Sequence, residues 1–228
     1  ISSTKKFITV VVKSTVVPGS TDTLIRKVIE KASGKKLNEF GLGMNPEFLR
    51  EGNAVDDFMN PDRIVLGYEN SKTLKNLEML YSSWKIDKIK VNSRTAELIK
   101  YANNAMLATQ ISTINEISNL GYTIGKTNIN HVIKGIHLDK RWNPKIGKSR
   151  TNPEILKYLV PGYGFGGSCF YKDLNAIVSL GKTVRSPMRI IKSVLKVNQN
   201  QPNIVDKILK KELKNFKNKK VLILGLSF

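Results

Sequence analysis

The sequence predicts an α/β protein: part of a parallel β-sheet domain, then an all-α region, then the first strand of a second sheet. Three stretches carry this prediction. Residues 7–12 (FITVVV) are a continuous, mostly β-branched run, which is typical of a strand buried on both faces of a parallel sheet. Residues 93–120 repeat apolar side chains at helical spacing without a proline. Residues 221–224 (VLIL) form another buried-strand pattern, which runs into Gly225.

Strands and helices alternate in the first part of the chain. After the strand at residues 7–12, apolar side chains at helical spacing predict a helix over residues 24–32, which Gly34 should end. A strand this apolar needs neighbours on both sides, and none precedes it in the sequence. The resulting order, β-α-β-β-α-β, is at most half of a doubly wound domain. The further predicted elements are strands at residues 40–44, 63–68 and 89–91 and a helix at residues 74–84.

The second part of the chain is predicted to be helical. The helix at residues 93–120 is longer than a typical globular helix, so we expect it to span two domains or two subunits. Pro187 is expected to open the last helix, and Pro202 to break or restart it. The other predicted elements are a helix at residues 129–136, a long polar segment at 137–152, and a helix that begins near Cys169 and runs to Gly181.

The composition is ordinary for a globular protein, but the charge is strongly basic. The 228 residues carry a formal net charge of +20, which suggests anionic partners such as nucleic acid or a phosphorylated small molecule. The lysines are spread along the chain, and the densest cluster, residues 207–220, alternates with apolar residues as the solvent-facing side of an amphipathic helix does. Because neither zinc-finger spacing nor an aromatic-interleaved basic motif is present, nucleic-acid binding is the less favoured alternative.

The compartment and the possible metal content follow from a few residue types. The single cysteine excludes an internal disulfide framework and fits a reducing compartment. The sequence shows no signal peptide and no run of membrane-spanning length, so we expect a cytoplasmic protein without membrane contact. His131 and His137 are poorly spaced for two metal ligands on one helix face, so no metal site is expected.

The strongest chemical signal is residues 164–173 (GFGGSCFYKD), which contain the only cysteine. Glycines precede Cys169, where a backbone can bend tightly and admit a ligand closely, and Lys172 and Asp173 follow it. A helix N-terminus with a lysine nearby favours the thiolate, so Cys169 is a candidate nucleophile beside a phosphate-sized or sugar-sized cavity. The alternative is a small, buried, inert cysteine, which would need neither the glycines nor the Lys-Asp pair.

Two further pairs of polar residues are candidates for a site. Glu47 and Glu51 follow a predicted strand end, where an open α/β sheet binds its ligands, but they could equally be acids in the exposed first turn of a helix. Lys100 and Asn104 lie one turn apart on the long helix and so share a face. Solvent exposure is the alternative for both, although the apolar neighbours of Lys100 favour partial burial.

Taken together, these motifs resemble the nucleotide-sugar dehydrogenases, the UDP-glucose/GDP-mannose dehydrogenase family. Four blocks match in order: residues 13–19 (KSTVVPG), 45–52 (NPEFLREG), 96–104 (AELIKYANN) and 164–173. The resemblance extends over essentially the whole chain. Residues 61–64 and 198–201 are supporting matches. Tyr171 stands where the family often has proline.

The resemblance implies a Rossmann-like NAD-binding domain, an all-α central domain that dimerises, and a C-terminal Rossmann-like nucleotide-binding domain. It assigns residues 1–92 to the remainder of the first domain, 93–202 to the central domain with the catalytic cysteine, and 203–228 to the lead-in and first strand of the third. The glycine-rich dinucleotide fingerprint, Gly-x-Gly-x-x-Gly after a first strand, is absent. We therefore expect a piece of a longer enzyme, which by itself is inactive and holds NAD poorly.

The implied chemistry is the oxidation of a nucleotide-sugar primary alcohol to a carboxylate with two NAD, with UDP-glucose as the expected substrate and UDP-N-acetylmannosamine or GDP-mannose as alternatives. The cysteine captures the intermediate aldehyde, Lys100, Asn104 and Asp173 stabilise the oxyanion and position water, and Glu47 assists hydrolysis. The implied catalytic residues are Cys169, Lys100, Asp173, Asn104, Glu47 and Thr15. The implied substrate-binding residues are Glu47, Phe48, Leu49, Arg50, Glu51, Lys100, Asn104, Tyr158, Leu159, Val160, Pro161, Gly162, Phe165 and Gly166. The implied cofactor-facing residues are Thr15, Glu51 and Lys172, and the implied partner is a second copy of the chain, bound through the long helix.

Overall fold

The computed structural model of the protein describes residue 1 and residues 3–214 and 216–225. The chain divides into two compact units, Ile1–Asn103 and Asn104–Phe228. The first contains the β-sheet and the second is mainly helical, in agreement with the predicted order of an α/β part followed by an all-α part.

The first unit is built on a four-stranded sheet in the order β1-β2-β3-β4. The strands β1 and β2 pair in parallel, as do β3 and β4, but β2 and β3 are antiparallel over the short register Gly43↔Tyr68 and Met44↔Gly67. The prediction of parallel strands is therefore wrong for this one pair. A parallel connection needs a crossover helix packed on the sheet, and the only helix between β2 and β3 buries none of its residues. The strands are β1 (Thr9–Val12), β2 (Gly41–Met44), β3 (Ile64–Tyr68) and β4 (Lys88–Val91).

The edge position of β1 corrects a second expectation. All of its residues are only half-buried, whereas β2 is buried throughout. The prediction that β1 is buried on both faces is therefore wrong for the part of the chain that the structure describes. The reason is positional, because β1 ends the strand order and has β2 as its only neighbour there.

Three helices accompany the sheet. The helix expected over residues 24–32 begins as a π-helical segment, Ser20–Ile25, continues as α1 (Arg26–Ser33), and ends at Gly34 with φ 70° as predicted. The short helix α2 (Ala54–Met59) was not predicted. The helix α3 (Ser71–Leu80) begins earlier than expected, because the side chain of Asn70 caps it by accepting a hydrogen bond from Thr73 N at 2.9 Å, and it also ends earlier. The core is formed mainly by Leu42, Met44, Val65, Leu66 and Leu77.

Long helices dominate the rest of the chain. The predicted long helix is α4 (Ser93–Ile124), which is followed by α5 (Ile129–His137). The polar segment at 137–152 contains a small hairpin of β5 (Lys145–Ile146) and β6 (Ser149–Arg150), which was not predicted. A 3₁₀ helix, Glu154–Leu159, precedes α6 (Ser168–Thr183), and α7 (Arg189–Leu213) is the last helix.

The path of α7 contradicts the expectation for Pro202. This proline lies inside the helix, which neither breaks nor restarts there. Burial on the turns that precede it holds the backbone in place: Val194, Leu195 and Gln201 are all buried. Tertiary packing therefore outweighs the cost of about 3 kcal/mol for a proline in a helix interior.

The second predicted sheet is not observed in the described residues. Residues 221–225 have no regular secondary structure, and Leu222 and Leu224 are 80% and 86% exposed. The prediction of a buried strand at residues 221–224 is therefore wrong here, because a strand forms only against a partner and no described strand pairs with this segment. The expected continuation of that strand to residues 226–228 lies outside the described residues. Among the described helices, none combines the length and the apolar character that crossing a membrane requires.

Candidate active site

In the first unit, the segment after β2 is anchored by a buried asparagine. Asn45 donates from Nδ2 to the carbonyl of Val65 at 2.7 Å, and its Oδ1 accepts from Lys13 Nζ and from the Tyr81 hydroxyl, both at 2.5 Å. Burial lowers the pKa of Lys13 and raises that of Tyr81, so both groups are shifted towards their neutral forms. The negative charge of Glu47 partly opposes the change in the pKa of Lys13.

Glu47, Phe48 and Lys100 are brought together beyond this anchor. Lys100 Nζ lies 3.3 Å from Glu47 Oε1, and the Lys100 side chain is only 7% exposed, so the solvent-exposure alternative is wrong for Lys100. The Phe48 ring centroid lies 4.1 Å from Arg63 Cζ and 5.2 Å from Lys100 Nζ, both within cation–π distance. Glu47 Oε2 also accepts from Leu49 N at 2.7 Å. The arrangement presents a partly exposed carboxylate beside a buried ammonium.

The neighbouring candidates in residues 49–51 are more exposed. Arg50 makes several hydrogen bonds to Asp57, the shortest at 2.6 Å, and this guanidinium holds the pKa of Asp57 well below its usual range. Leu49 is 39% exposed, and Glu51 is exposed in a turn that precedes α2. Because residues 45–50 are not helical, the reading of Glu47 as an acid in a first helical turn is wrong.

Glu97 is a functional candidate that the sequence reasoning missed. It is fully buried, and its carboxylate accepts from the backbone N–H groups of Gly19 at 2.5 Å and Thr21 at 2.8 Å. It thereby holds the loop after β1, in which Thr15 is half-buried. The sequence did contain a signal for this residue, because Glu97 is an acid beside Ala96 within one of the four matched blocks.

In the second unit, Cys169 lies in the first turn of α6, as predicted. The preceding Gly167 has φ 72°, and the thiol is exposed, so the alternative of a small buried cysteine is wrong. Its Sγ atom lies 3.9 Å from the Ser168 hydroxyl oxygen. Lys172 was expected to favour the thiolate, but its Nζ atom lies 2.5 Å from the Asp173 carboxylate and forms an ion pair with it.

Asp173, which forms the ion pair with Lys172, is buried. It is 1% exposed, its Oδ2 accepts from Asn104 Nδ2 at 2.7 Å, and its Oδ1 accepts from Lys172. Asn104 is itself buried, so solvent exposure is wrong for it too. Cys169 and Asp173 are one helical turn apart on α6 and therefore share a face. The result is an exposed thiol one helical turn from a carboxylate whose two oxygens are both held in place.

The segment before Cys169 contains the remaining predicted residues. The side chains of Leu159 and Phe165 are buried, and the Phe165 ring packs edge-on against Phe170 with centroids 5.8 Å apart. Tyr158 and Pro161 are half-buried, whereas Val160, Gly162 and Gly166 are exposed. Leu159 and Phe165 therefore serve the core through their side chains. Within the described ranges, no three His, Cys, Asp or Glu side chains group together as metal ligands would.

Both parts of the sequence match models of domains from one protein family. The model of the UDP-glucose/GDP-mannose dehydrogenase NAD-binding domain matches residues 2–85, and that of the central domain of the same family matches residues 94–200. The chain is 39% identical over 220 residues to UDP-glucose 6-dehydrogenase TuaD and 42% identical over 221 residues to UDP-glucose 6-dehydrogenase YwqF, both of Bacillus subtilis, and each alignment covers 96% of this chain.

The solved structures give the same result. A UDP-glucose dehydrogenase from the hyperthermophilic archaeon Pyrobaculum islandicum superposes with a TM-score of 0.76 at 40% identity, covering 90% of this chain and 44% of that one. The chain covers 44% of TuaD and 47% of YwqF, so it spans about half the length of the curated relatives it matches. Since the two family models together cover most of the sequence, the chain belongs to the UDP-glucose/GDP-mannose dehydrogenase family.

Proposed function

We propose that this chain supplies the nucleophile of an NAD-dependent nucleotide-sugar 6-dehydrogenase, which oxidises the primary alcohol of UDP-glucose to the carboxylate of UDP-glucuronate. The observation that carries the proposal is the exposed thiol of Cys169 in the first turn of α6, one turn from the buried Asp173. An inert structural cysteine would be buried. The curated relatives named above are UDP-glucose 6-dehydrogenases, which favours UDP-glucose over UDP-N-acetylmannosamine or GDP-mannose.

The role of Cys169 is to hold the sugar between two oxidation steps. When bound, NAD accepts the hydride in each step, first from the alcohol and then from the thiohemiacetal. The sulfur of Cys169 bonds to the aldehyde carbon, and the thiol proton ends on the former carbonyl oxygen, which gives the thiohemiacetal. After the second oxidation the same carbon is a thioester. Water then adds to it, the C–S bond breaks, and the thiolate of Cys169 leaves as the carboxylic acid forms.

The residues around Cys169 suit the negative charge that forms on oxygen during these steps. Asn104 and Lys172 each donate to the Asp173 carboxylate, so this carboxylate is oriented before any substrate binds. We assign Asp173 to positioning the water, and Asn104 to stabilising the negative oxygen that forms when sulfur or water adds. In the first unit, the Glu47–Lys100 pair offers a carboxylate to assist hydrolysis and an ammonium to stabilise negative charge.

The residues present fit only part of the NAD molecule. Thr15 and Glu51 follow the carboxyl ends of β1 and β2, where open α/β sheets bind ligands, and we assign them with Lys172 to contacts with the cofactor. The sequence has no Gly-x-Gly-x-x-Gly fingerprint after a strand, the arrangement that cradles a pyrophosphate at a helix N-terminus. Its one match to that spacing, Gly162, Gly164 and Gly167, follows a 3₁₀ helix and leads to Cys169. These residues therefore suit a contact with NAD but provide no such cradle for its pyrophosphate.

The test compares the natural gene product that carries this chain with its Cys169→Ser variant. We expect the parent to form two NADH per UDP-glucuronate from UDP-glucose, and to prefer UDP-glucose to UDP-N-acetylmannosamine and GDP-mannose. A hydroxyl is a much weaker nucleophile at neutral pH, so the variant should form almost no acid. Asn203→Ala, on the exposed surface of α7, is the control. Normal acid formation by Cys169→Ser would remove Cys169 from the mechanism, and salt-dependent binding of duplex DNA without binding of UDP-glucose would favour a nucleic-acid partner.

We also propose that the chain forms a homodimer through α4. Four large apolar side chains between residue 106 and the end of this helix are exposed, and their spacing places them on one face. Such a stripe is typical of a helix face that packs against a second copy. We expect sedimentation at micromolar concentration to show a dimer in the parent and a monomer in Leu120→Asp, whereas a monomeric parent would contradict the proposal. The four side chains are Met106 (62% exposed), Ile117 (39%), Leu120 (60%) and Ile124 (69%).

A further inference from the structure

The segment that precedes α6 is held in place by hydrogen bonds to its backbone. We call residues 160–167, between the 3₁₀ helix and α6, the cysteine loop. Its Gly162 N–H donates to Asn115 Oδ1 at 2.7 Å, and its Gly162 carbonyl accepts from Gln201 Nε2 at 2.8 Å. One backbone position of an exposed loop is therefore held on both of its polar groups by side chains from α4 and α7.

A second position is held by a single side chain. Asn198 Oδ1 accepts from Phe165 N at 2.8 Å, and Asn198 Nδ2 donates to the Phe165 carbonyl at 2.9 Å. The carboxamide thus pairs with the loop as the backbone of a neighbouring strand would. Gly164 permits this approach, because it has φ 97° and a Cβ atom there would lie 2.3 Å from Asn198 Oδ1.

The carboxamides are themselves oriented. Gln201 is 5% exposed and accepts from Asn119 Nδ2 at 3.1 Å, and Asn115 is 1% exposed. Buried amides must be hydrogen-bonded, so these side chains have little freedom to turn away from the loop. We call Asn115, Asn198 and Gln201 the carboxamide clamp.

We propose that Asn198 and Gln201 are positioning residues, which set the direction of the Cys169 thiol by fixing the cysteine loop. This inference rests on the proposed role of Cys169 as the nucleophile. After the clamped Phe165 the chain has only Gly166 and Gly167 before α6 begins at Ser168. Because these glycines would otherwise let the start of the helix swing, the clamp supplies the rigidity that the local sequence lacks.

The clamp also restricts how this loop binds a substrate. An N–H group donates one good hydrogen bond, and those of Gly162 and Phe165 are already used by Asn115 and Asn198. Gly162 and Phe165 were expected from the sequence to contact the nucleotide-sugar. The geometry instead makes their N–H groups part of the support, so donors to a ligand must come from other residues of the loop.

The first test measures the clamp without any reaction. Residue-resolved amide exchange by NMR on this chain should show that Asn198→Ala accelerates exchange at Phe165 at least about tenfold, because its acceptor is gone. Asn198→Asp keeps an oxygen for the Phe165 N–H, so exchange there should stay within about threefold of the parent. Asn203→Ala is the control on the same helix. Unchanged exchange at Phe165 in Asn198→Ala, or equal acceleration throughout the protein, would overturn the inference.

The second test asks whether the clamp acts on Cys169. In the natural gene product that carries this chain, a misdirected thiol should let the aldehyde intermediate escape. Asn198→Ala and Gln201→Ala should therefore raise the ratio of hydroxylamine-trapped aldehyde to acid at least about fivefold. Both variants should also lower kcat, while KM for UDP-glucose stays within about twofold of the parent. Asn198→Asp should recover part of kcat. An unchanged ratio of aldehyde to acid despite faster exchange at Phe165 would refute positioning. If Cys169→Ser still makes acid, the proposed function fails instead, and the exchange result stands separately.

Discussion

Replacement of Glu97 tests whether α4 holds the loop after β1. In Glu97→Ala, the N–H groups of Gly19 and Thr21 lose their acceptor, the Glu97 carboxylate, to which they donate at 2.5 Å and 2.8 Å. A hydrogen bond to a charged group contributes about 1.5–3 kcal/mol, so the loss of two should lower the free energy of unfolding by about 3–5 kcal/mol. Glu97→Gln keeps one acceptor oxygen in nearly the same shape, and we expect about half of that loss.

Urea unfolding followed by circular dichroism measures the change. Glu39→Ala is a matched control, because Glu39 also accepts a backbone N–H, from Lys36 at 2.8 Å, but on the exposed surface. Its free energy of unfolding should stay within about 0.5 kcal/mol of the parent. A loss of less than about 1 kcal/mol in Glu97→Ala, with an unchanged m value, would refute the reasoning that this carboxylate holds the loop.

Three further predictions concern single contacts. Arg50→Gln should raise the pKa of Asp57 towards its ordinary value, measured by carboxyl NMR, because the guanidinium is lost while the backbone N–H of residue 50 and the Asn53 side chain still donate. Since the depressed pKa favours folding above about pH 4 and the benefit is lost as pH falls, the variant should lose part of its acid-sensitive stability. Glu47→Gln should lower the pKa of Lys13 further, because it removes the charge that partly opposes burial, and NMR titration of the lysine measures this. Gly164→Ala should lower the free energy of unfolding by about 2–4 kcal/mol in a thermal scan, because φ 97° and the contact with Asn198 both exclude a Cβ atom.

Gly164→Ala has a matched control, and each of the three predictions has an outcome that would contradict it. Gly147→Ala matches Gly164→Ala, because Gly147 also has a positive φ of 62° but nothing within 4 Å of its Cβ position, so it should cost only about 1 kcal/mol. Equal losses in the two variants would show that the contact with Asn198 has no cost. An Asp57 pKa that is the same with and without Arg50 would contradict the bidentate pairing, and a Lys13 pKa that rises in Glu47→Gln would reverse the sign given above.

Local signals in the sequence determined the elements that depend on a few adjacent residues. Gly34 ends α1 because a left-handed residue closes a helix, and the glycines before Cys169 place that residue at the start of α6. The family blocks brought Glu47, Lys100, Asn104 and Asp173 to attention, because those motifs are short and contiguous. The order of the α/β part and the helical part was also predicted correctly, because the apolar spacing that indicates a strand or a helix is local as well.

Long-range contacts decided the rest. The antiparallel pairing of β2 with β3 and the edge position of β1 depend on which strands meet, and hydrophobicity along one strand does not encode its neighbour. The carboxamide clamp joins residues 33 to 47 positions apart, and its partners are backbone atoms, which look alike in every sequence. The helix α7 continues through Pro202 because burial on the preceding turns outweighs a local rule. The sequence by itself thus determined which reactive side chains the protein has. Only the tertiary structure decided which groups hold those side chains in place, since rigidity arises from contacts between distant segments.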